Sequence, residues 1–319
     1  MQAQGIVEFS STRANPDVDP ALHIWGWEVP VYLFLGGLVA GLLVLHALVV
    51  LTRKQERMPA SYGLAPLFAV PLLGLGLGAL FLDLEYKLHV LQFYTAFRLG
   101  SPMSWGSWVL LLVFGTGGLA ALAALGRLPG SAAAPWGRIG LVRSLAAFGQ
   151  RHEALVARAN LFLGLVLGVY TGVLLSSFAA RPFWNSALLG PLCLVSGASA
   201  GIALAALLAR DPQERHTLVR VDLLLLLVEA ALVLLWLNGM ANAGEAGRDA
   251  AQLVLGGSHT AVFWLLFVTV GLVVPFLLEY MALRHRWAET LVAPVLVLIG
   301  GIVFRFVLVD AGQLSAFGG

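Results

Sequence analysis

From residue 27 to residue 310 the chain repeats one pattern, a run of about twenty apolar residues followed by a short break that carries charges. A bilayer core of about 30 Å is crossed by roughly 20 apolar residues in a helix. Lipid offers no hydrogen-bond partners, so such a run must satisfy its backbone internally, as a helix does. Eight runs are read, at about 27–51, 64–82, 104–126, 155–178, 185–209, 219–238, 258–281 and 289–310. The expected fold is therefore an all-α integral membrane protein with eight transmembrane helices. Composition agrees: 59% of residues are hydrophobic and 11% charged, against roughly 45–50% and about 25% in soluble domains. Too few charges remain to solvate a water-facing surface, and a soluble fold is excluded.

Loop charges supply an independent test of the span count. The first, third, fifth and seventh loops hold Arg53, Lys54 and Arg57; Arg127, Arg138, Arg143 and Arg151; Arg210, Arg215 and Arg220; and Arg284 and Arg286. The even loops and the N-terminal tail are poorer, with Lys87 and Arg98, Arg181, Arg248, and Arg13. Positive residues favour the cytoplasmic side, so the odd loops are expected inside and both termini outside. Residues 1–22 contain no apolar core of a signal peptide, so the first helix is expected to act as the translocation signal. The turn near Arg181-Pro182 divides the chain into two expected four-helix bundles, 1–180 and 181–319, with no repeat between them.

The net charge of +2 provides no basic stripe, and no nucleic-acid partner is expected. A single cysteine, Cys193, rules out a disulfide framework and cysteine-ligated iron–sulfur or zinc sites. Haem is also unexpected. His46 falls near the inner end of the first run and His259 near the outer end of the seventh, and the other histidines lie in tails or loops.

Polar residues gather on the outer side of the first half: His23, Trp25, Trp27 and Glu28; Asp83, Glu85, Lys87 and His89; Ser101 to Gly106; and Tyr170-Thr171-Gly172. Trp and Tyr concentrate at membrane surfaces in any case, but here ionisable groups, helix starts and glycines converge with them. His23 and Trp27 are four apart and share a helical face. A histidine titrates near neutrality, so His23 can hydrogen-bond a quinone carbonyl and pass a proton; the Tyr170 hydroxyl can hold the other carbonyl. The bland alternative for His23 is a solvated tail residue. Deeper in the membrane, Asp222 and Glu229 are seven apart on one helix face, and Arg305 lies inside the last run. Intramembrane charges pair with each other or line ion paths, so Glu229 and Arg305 read as a buried pair or, with Asp222, as a proton path; Asp222 taken alone reads as interfacial. Glu279 and His46, near inner helix ends, read as anchors.

The segments Trp27–Gly41 (WEVPVYLFLGGLVAG), Gly100–Gly106 (GSPMSWG), Tyr170–Trp184 (YTGVLLSSFAARPFW) and Arg305–Gln313 (RFVLVDAGQ) resemble the NrfD/PsrC family of polysulfide reductase membrane subunits. The resemblance implies a haem-free subunit, without an iron–sulfur cluster of its own, that exchanges electrons between membrane quinone (menaquinone or ubiquinone) and a partner. It implies a four-cluster ferredoxin-like iron–sulfur subunit as that partner, joined in turn to a molybdenum or tungsten bis-pterin catalytic subunit. Residue by residue, His23 resembles the family's quinone-binding histidine, Tyr170 its quinone-binding tyrosine, and Asp83 an acidic residue near that site; Trp27 and Trp105 complete the candidate set. A proline often follows the family's Asp-Leu, whereas Glu85-Tyr86-Lys87 follows here, and the inner loop 127–154 is long. The implied location is a bacterial or archaeal cytoplasmic membrane with the partners on the extracytoplasmic face. Two rival readings are a secondary transporter working through Glu229, Asp222 and Arg305, and a purely structural anchor.

Overall fold

The computed structural model describes residues 25–84, 100–128, 135–285 and 290–315, with Lys87 and Thr95 between them. Every regular element among these residues is helical: α1 (Glu28–Leu51), α2 (Pro59–Asp83), α3 (Pro102–Arg127), α4 (Gly140–Arg151), α5 (Glu153–Ser176), α6 (Leu189–Leu208), α7 (Pro212–Ala241), α8 (Glu245–Leu255), α9 and α10 (Val292–Leu314). The helix α9 begins as a π-helix over Val262–Val273 and continues as an α-helix over Val274–His285. Proline opens α2, α3 and α7, where its fixed φ is already helical and its missing N–H costs nothing. At α7 the Asp211 side chain also accepts a hydrogen bond from the Gln213 N–H at 3.0 Å, satisfying one of the free donors of the first turn.

Seven of the described helices, α1, α2, α3, α5, α6, α9 and α10, are long and apolar enough to cross a membrane. The eighth expected span, 219–238, falls within α7, which is not among the seven. That helix has 30 residues, about 45 Å at about 1.5 Å per residue, but Glu214, Arg215, Arg220, Asp222 and Glu229 interrupt its apolar character.

Helix α1 is the hub. It packs on α2, α5, α6 and α10, and 78% of its apolar span is buried by protein. Its closest crossing uses glycine on both sides. A Cβ on Gly197 of α6 would lie 2.7 Å from the Gly37 carbonyl oxygen, and one on Gly41 would lie 2.5 Å from the Gly197 oxygen. Gly37 and Gly41, like Gly197 and Gly201, are four apart, the small-residue spacing that lets membrane helices approach backbone to backbone. Helix contacts therefore run across the expected division near residue 181, from α1 to α6 and α10 and from α5 to α6.

A second tie joins the two halves. Glu214, at the start of α7, is fully buried and caps α2, accepting from the N–H groups of Ala60 at 3.0 Å and Ser61 at 2.7 Å and from the Ser61 hydroxyl at 2.7 Å. A carboxylate at a helix N-terminus meets unsatisfied donors and the positive end of the helix dipole, which makes its burial tolerable. Large side chains such as Leu75, Phe162 and Leu234 remain exposed on the outer surface.

Candidate functional site

A cavity of about 450 Å³ lies among α1, α2, α3 and α5, at the end of the bundle where α2 stops and α3 begins. Its walls are mostly apolar, with Leu33 from α1, Leu77 and Phe81 from α2, Met103 from α3 and Leu174 from α5; the polar contributions come from Trp25, Tyr32, Asp83, Ser107 and Tyr170. Phe81 and Met103, which line it, are also partly exposed.

Tyr170 is the best-positioned polar group in this space. It is 4% exposed, and its hydroxyl has no hydrogen-bond partner among the described residues. Its ring meets Trp105 edge to face, with centroids 5.1 Å apart and planes at 68°. On the other side it lies against Gly106, where any Cβ would overlap the ring and hydroxyl. The Ser101–Gly106 segment thus contributes one aromatic wall and one missing side chain, which together fix the tyrosine. Asp83, the last residue of α2, lines the same cavity and faces the Gly26 backbone. Trp105 supports the cavity through Tyr170 without lining it.

The two remaining expected residues differ. Trp27 precedes α1, is 54% exposed and does not line the cavity. His23 lies outside the described residues. The tryptophan that does line the cavity is Trp25. Its N–H donates to Gln313 Oε1 at 2.8 Å, and Gln313 Nε2 donates to its carbonyl at 3.0 Å. Its indole stacks on Trp184 at 5.3 Å and meets Phe178 edge to face at 5.3 Å. Trp184 Nε1 in turn donates to the Leu308 carbonyl at 2.7 Å, and Arg181 Nη1 donates to the carbonyls of Gln313 at 2.6 Å and Ser315 at 2.9 Å. The RPFW and DAGQ segments therefore form a brace behind the cavity. Gln313 and Trp25 are 288 positions apart, and no local sequence signal pairs them.

A separate row of buried polar groups runs through the second half. Asp222, Glu229 and Arg305 are all buried. The Ser199 hydroxyl donates to Asp222 Oδ1 at 2.6 Å, Glu279 of α9 faces Asp222, and Ser196 faces Glu229. Arg305 Nη2 donates to the Cys193 carbonyl at 3.1 Å, while its Nε and Nη1 have no partner among the described residues. Arg305 and Glu229 attract each other electrostatically, but no direct ion pair joins them among the described residues. Sequence reading missed Ser196 and Ser199. It also placed Glu279 and His46 as anchors and Asp222 taken alone at the interface, whereas all three are buried. His46 Nδ1 lies 3.0 Å from the Tyr62 carbonyl oxygen and its ring stacks on Tyr62 at 5.9 Å. The Tyr62 hydroxyl donates to Glu153 at 2.8 Å, and Arg127 pairs with the same carboxylate at 2.7 Å.

The motif-bearing segments thus meet at one cavity and its brace. Comparison with known proteins gives the family. The C subunit of polysulfide reductase from Wolinella succinogenes is 28% identical over 307 residues, covering 91% of this protein and 94% of that one. Protein NrfD of Escherichia coli is 29% identical over 317 residues, covering 92% and 96%, and the NrfD homolog of Haemophilus influenzae is 26% identical over 315 residues, covering 92% and 95%. The family described as "Polysulphide reductase, NrfD" matches residues 15–316. The chain belongs to the polysulphide reductase NrfD family.

Proposed function

We propose that this protein is the membrane subunit of a respiratory oxidoreductase complex and that its cavity exchanges electrons with menaquinone or ubiquinone. The observation that carries the reading is the Tyr170 hydroxyl, buried and without a partner among the described residues, facing an apolar cavity of about 450 Å³. A quinone supplies two-electron, two-proton chemistry when bound. Leu33, Leu77, Phe81 and Leu174 suit its ring and the start of its isoprenoid tail, and the exposure of Phe81 and Met103 suits a ligand that arrives from the bilayer. The Tyr170 O–H donates to one carbonyl oxygen, and His23 is assigned to the other. Asp83 is the ionisable group in the cavity wall, placed to accept or supply a proton.

Cys193 is the one cysteine, so the electrons pass to or from another subunit. We assign that role to a four-cluster ferredoxin-like protein on the extracytoplasmic face, connected to a molybdenum or tungsten bis-pterin subunit. The names of the relatives, a polysulfide reductase subunit and protein NrfD, support a place in such a complex. In this reading the host membrane is the bacterial or archaeal cytoplasmic membrane, α7 is the eighth span and both termini face outward. Residues 1–180 carry the quinone cavity, and residues 181–319 carry the buried row Glu279–Asp222–Glu229–Arg305, which serves as a proton path.

The test is quinol turnover by the assembled complex. Tyr170→Phe keeps the ring packed on Trp105 and removes one hydrogen bond, worth about 0.5–1.5 kcal/mol, or roughly a 2- to 13-fold loss. His23→Ala should fall in the same range. Unchanged quinone kinetics in both variants, with assembly intact, would place the site elsewhere.

A further inference from the structure

Helix α4 connects the end of α3 to the start of α5, so it lies at the opposite end of those helices from Ser107, Tyr170 and Leu174 of the cavity wall. One face is used by the protein. A Cβ on Gly149 would lie 2.7 Å from the Leu119 carbonyl oxygen, Gln150 Nε2 donates to the Ala123 carbonyl at 3.0 Å, and Ala146 is buried.

The rest of its surface divides in two. Leu141, Leu145 and Phe148, spaced by four and three, form one exposed apolar stripe, with Leu141 70% and Phe148 48% exposed. Arg143 and Arg151 project from the other exposed side, and exposed Arg138 lies two residues before the helix. None of the three arginines makes an ion pair among the described residues, and residues 127–152 contain no Asp or Glu. Where α3 and α5 cross a bilayer, their ends mark the headgroup plane, and α4 joins those ends. On α5, Leu155 and Phe162 are exposed as well.

We propose that α4, together with Arg138, is a docking surface for anionic phospholipid. The Leu141–Leu145–Phe148 stripe sits among the upper acyl chains, and the three guanidinium groups hold headgroup phosphates at the water boundary. An amphipathic helix with a basic polar face binds this way, and charge complementarity selects acidic over zwitterionic headgroups. The helix that follows, α5, is long and apolar enough to cross a membrane and exposes Leu155 and Phe162, which favours lipid over an acidic protein segment as the occupant.

The experiment uses the full-length protein in detergent with equimolar phosphatidylglycerol and phosphatidylcholine, and native mass spectrometry counts the lipids retained. The unsubstituted protein should keep phosphatidylglycerol preferentially. Arg138→Gln, Arg143→Gln and Arg151→Gln should each lower that preference about fivefold. Because all three side chains are exposed, these variants should fold. As a check that needs no substitution, about 1 M salt shortens the screening length to about 3 Å and should abolish the preference. Leu141→Ser with Phe148→Ser should lower retention of both lipids. Equal retention of the two lipids by the unsubstituted protein, or an undiminished preference in the triple arginine variant, would overturn the proposal. So would binding of a poly-glutamate peptide that phosphatidylglycerol does not displace.

Discussion

Gly106 gives a sharp test of how the cavity is built. A methyl group there would occupy space now held by the Tyr170 ring and hydroxyl. Carbon atoms rest about 3.5–4.0 Å apart, so in Gly106→Ala the tyrosine must move by more than about 1 Å. Overpacking of this kind costs about 1–3 kcal/mol, and a displaced hydroxyl would forfeit the proposed hydrogen bond to quinone. Quinol turnover should fall roughly 2- to 13-fold, as for loss of that bond alone, and the purified subunit should be less stable. The decisive measurement is a double-mutant cycle with Tyr170→Ala, which removes the obstructing ring. Any gain in helix propensity on replacing glycine, about 1 kcal/mol, is common to both arms and cancels. In the Tyr170→Ala background Gly106→Ala should cost little, leaving a coupling of about 1–3 kcal/mol between the positions. Denaturant unfolding of the four proteins, with turnover of the assembled complexes, reads both effects. Additivity within about 0.3–0.5 kcal/mol would show that Gly106 does not seat Tyr170 and would refute the geometry.

Glu229→Gln separates the two readings of the buried row: if the row moves protons, the complex should assemble and bind quinone but lose proton uptake in reconstituted vesicles, detected with a pH-sensitive dye. A stable variant with normal turnover and normal uptake would leave the carboxylate without a proton role. Reporter fusions or introduced-cysteine labelling near residues 140 and 213 should report the cytoplasmic side, and near 95 and 245 the outer side. Labelling of 95 and 140 from one side would defeat the eight-span topology.

Much of the fold was legible because the bilayer imposes it. A run such as Glu28–Leu51 has no soluble alternative, and its length is fixed by the membrane rather than by distant contacts. Tyr170 and Asp83 could be brought together on paper because both sit at helix positions near the same membrane surface, and both line the cavity. Trp27 illustrates the limit. Sequence spacing paired it with His23, yet the fold places Trp25 in the wall, because the brace formed by Gln313 and Trp184 holds that residue. Glu214, Glu279 and His46 were opaque for a related reason. Position along a helix fixes depth, whereas burial depends on which neighbour covers that side, and for Glu214 the neighbour is the start of α2. The amphipathic α4 was hidden inside a loop, since its twelve residues are too few to span a membrane.

The pairing of Trp25 with Gln313 has a consequence for biosynthesis. Membrane helices leave the ribosome in order, and α1 is inserted long before α10. The wall contributed by Trp25 cannot be secured until Gln313 emerges, so a nascent polypeptide that already holds α1, α2, α3 and α5 still lacks a finished cavity. Completion of the site is thereby tied to the emergence of α10. A truncated product would reach the membrane with the helices of its first half in place and the binding chamber unsealed.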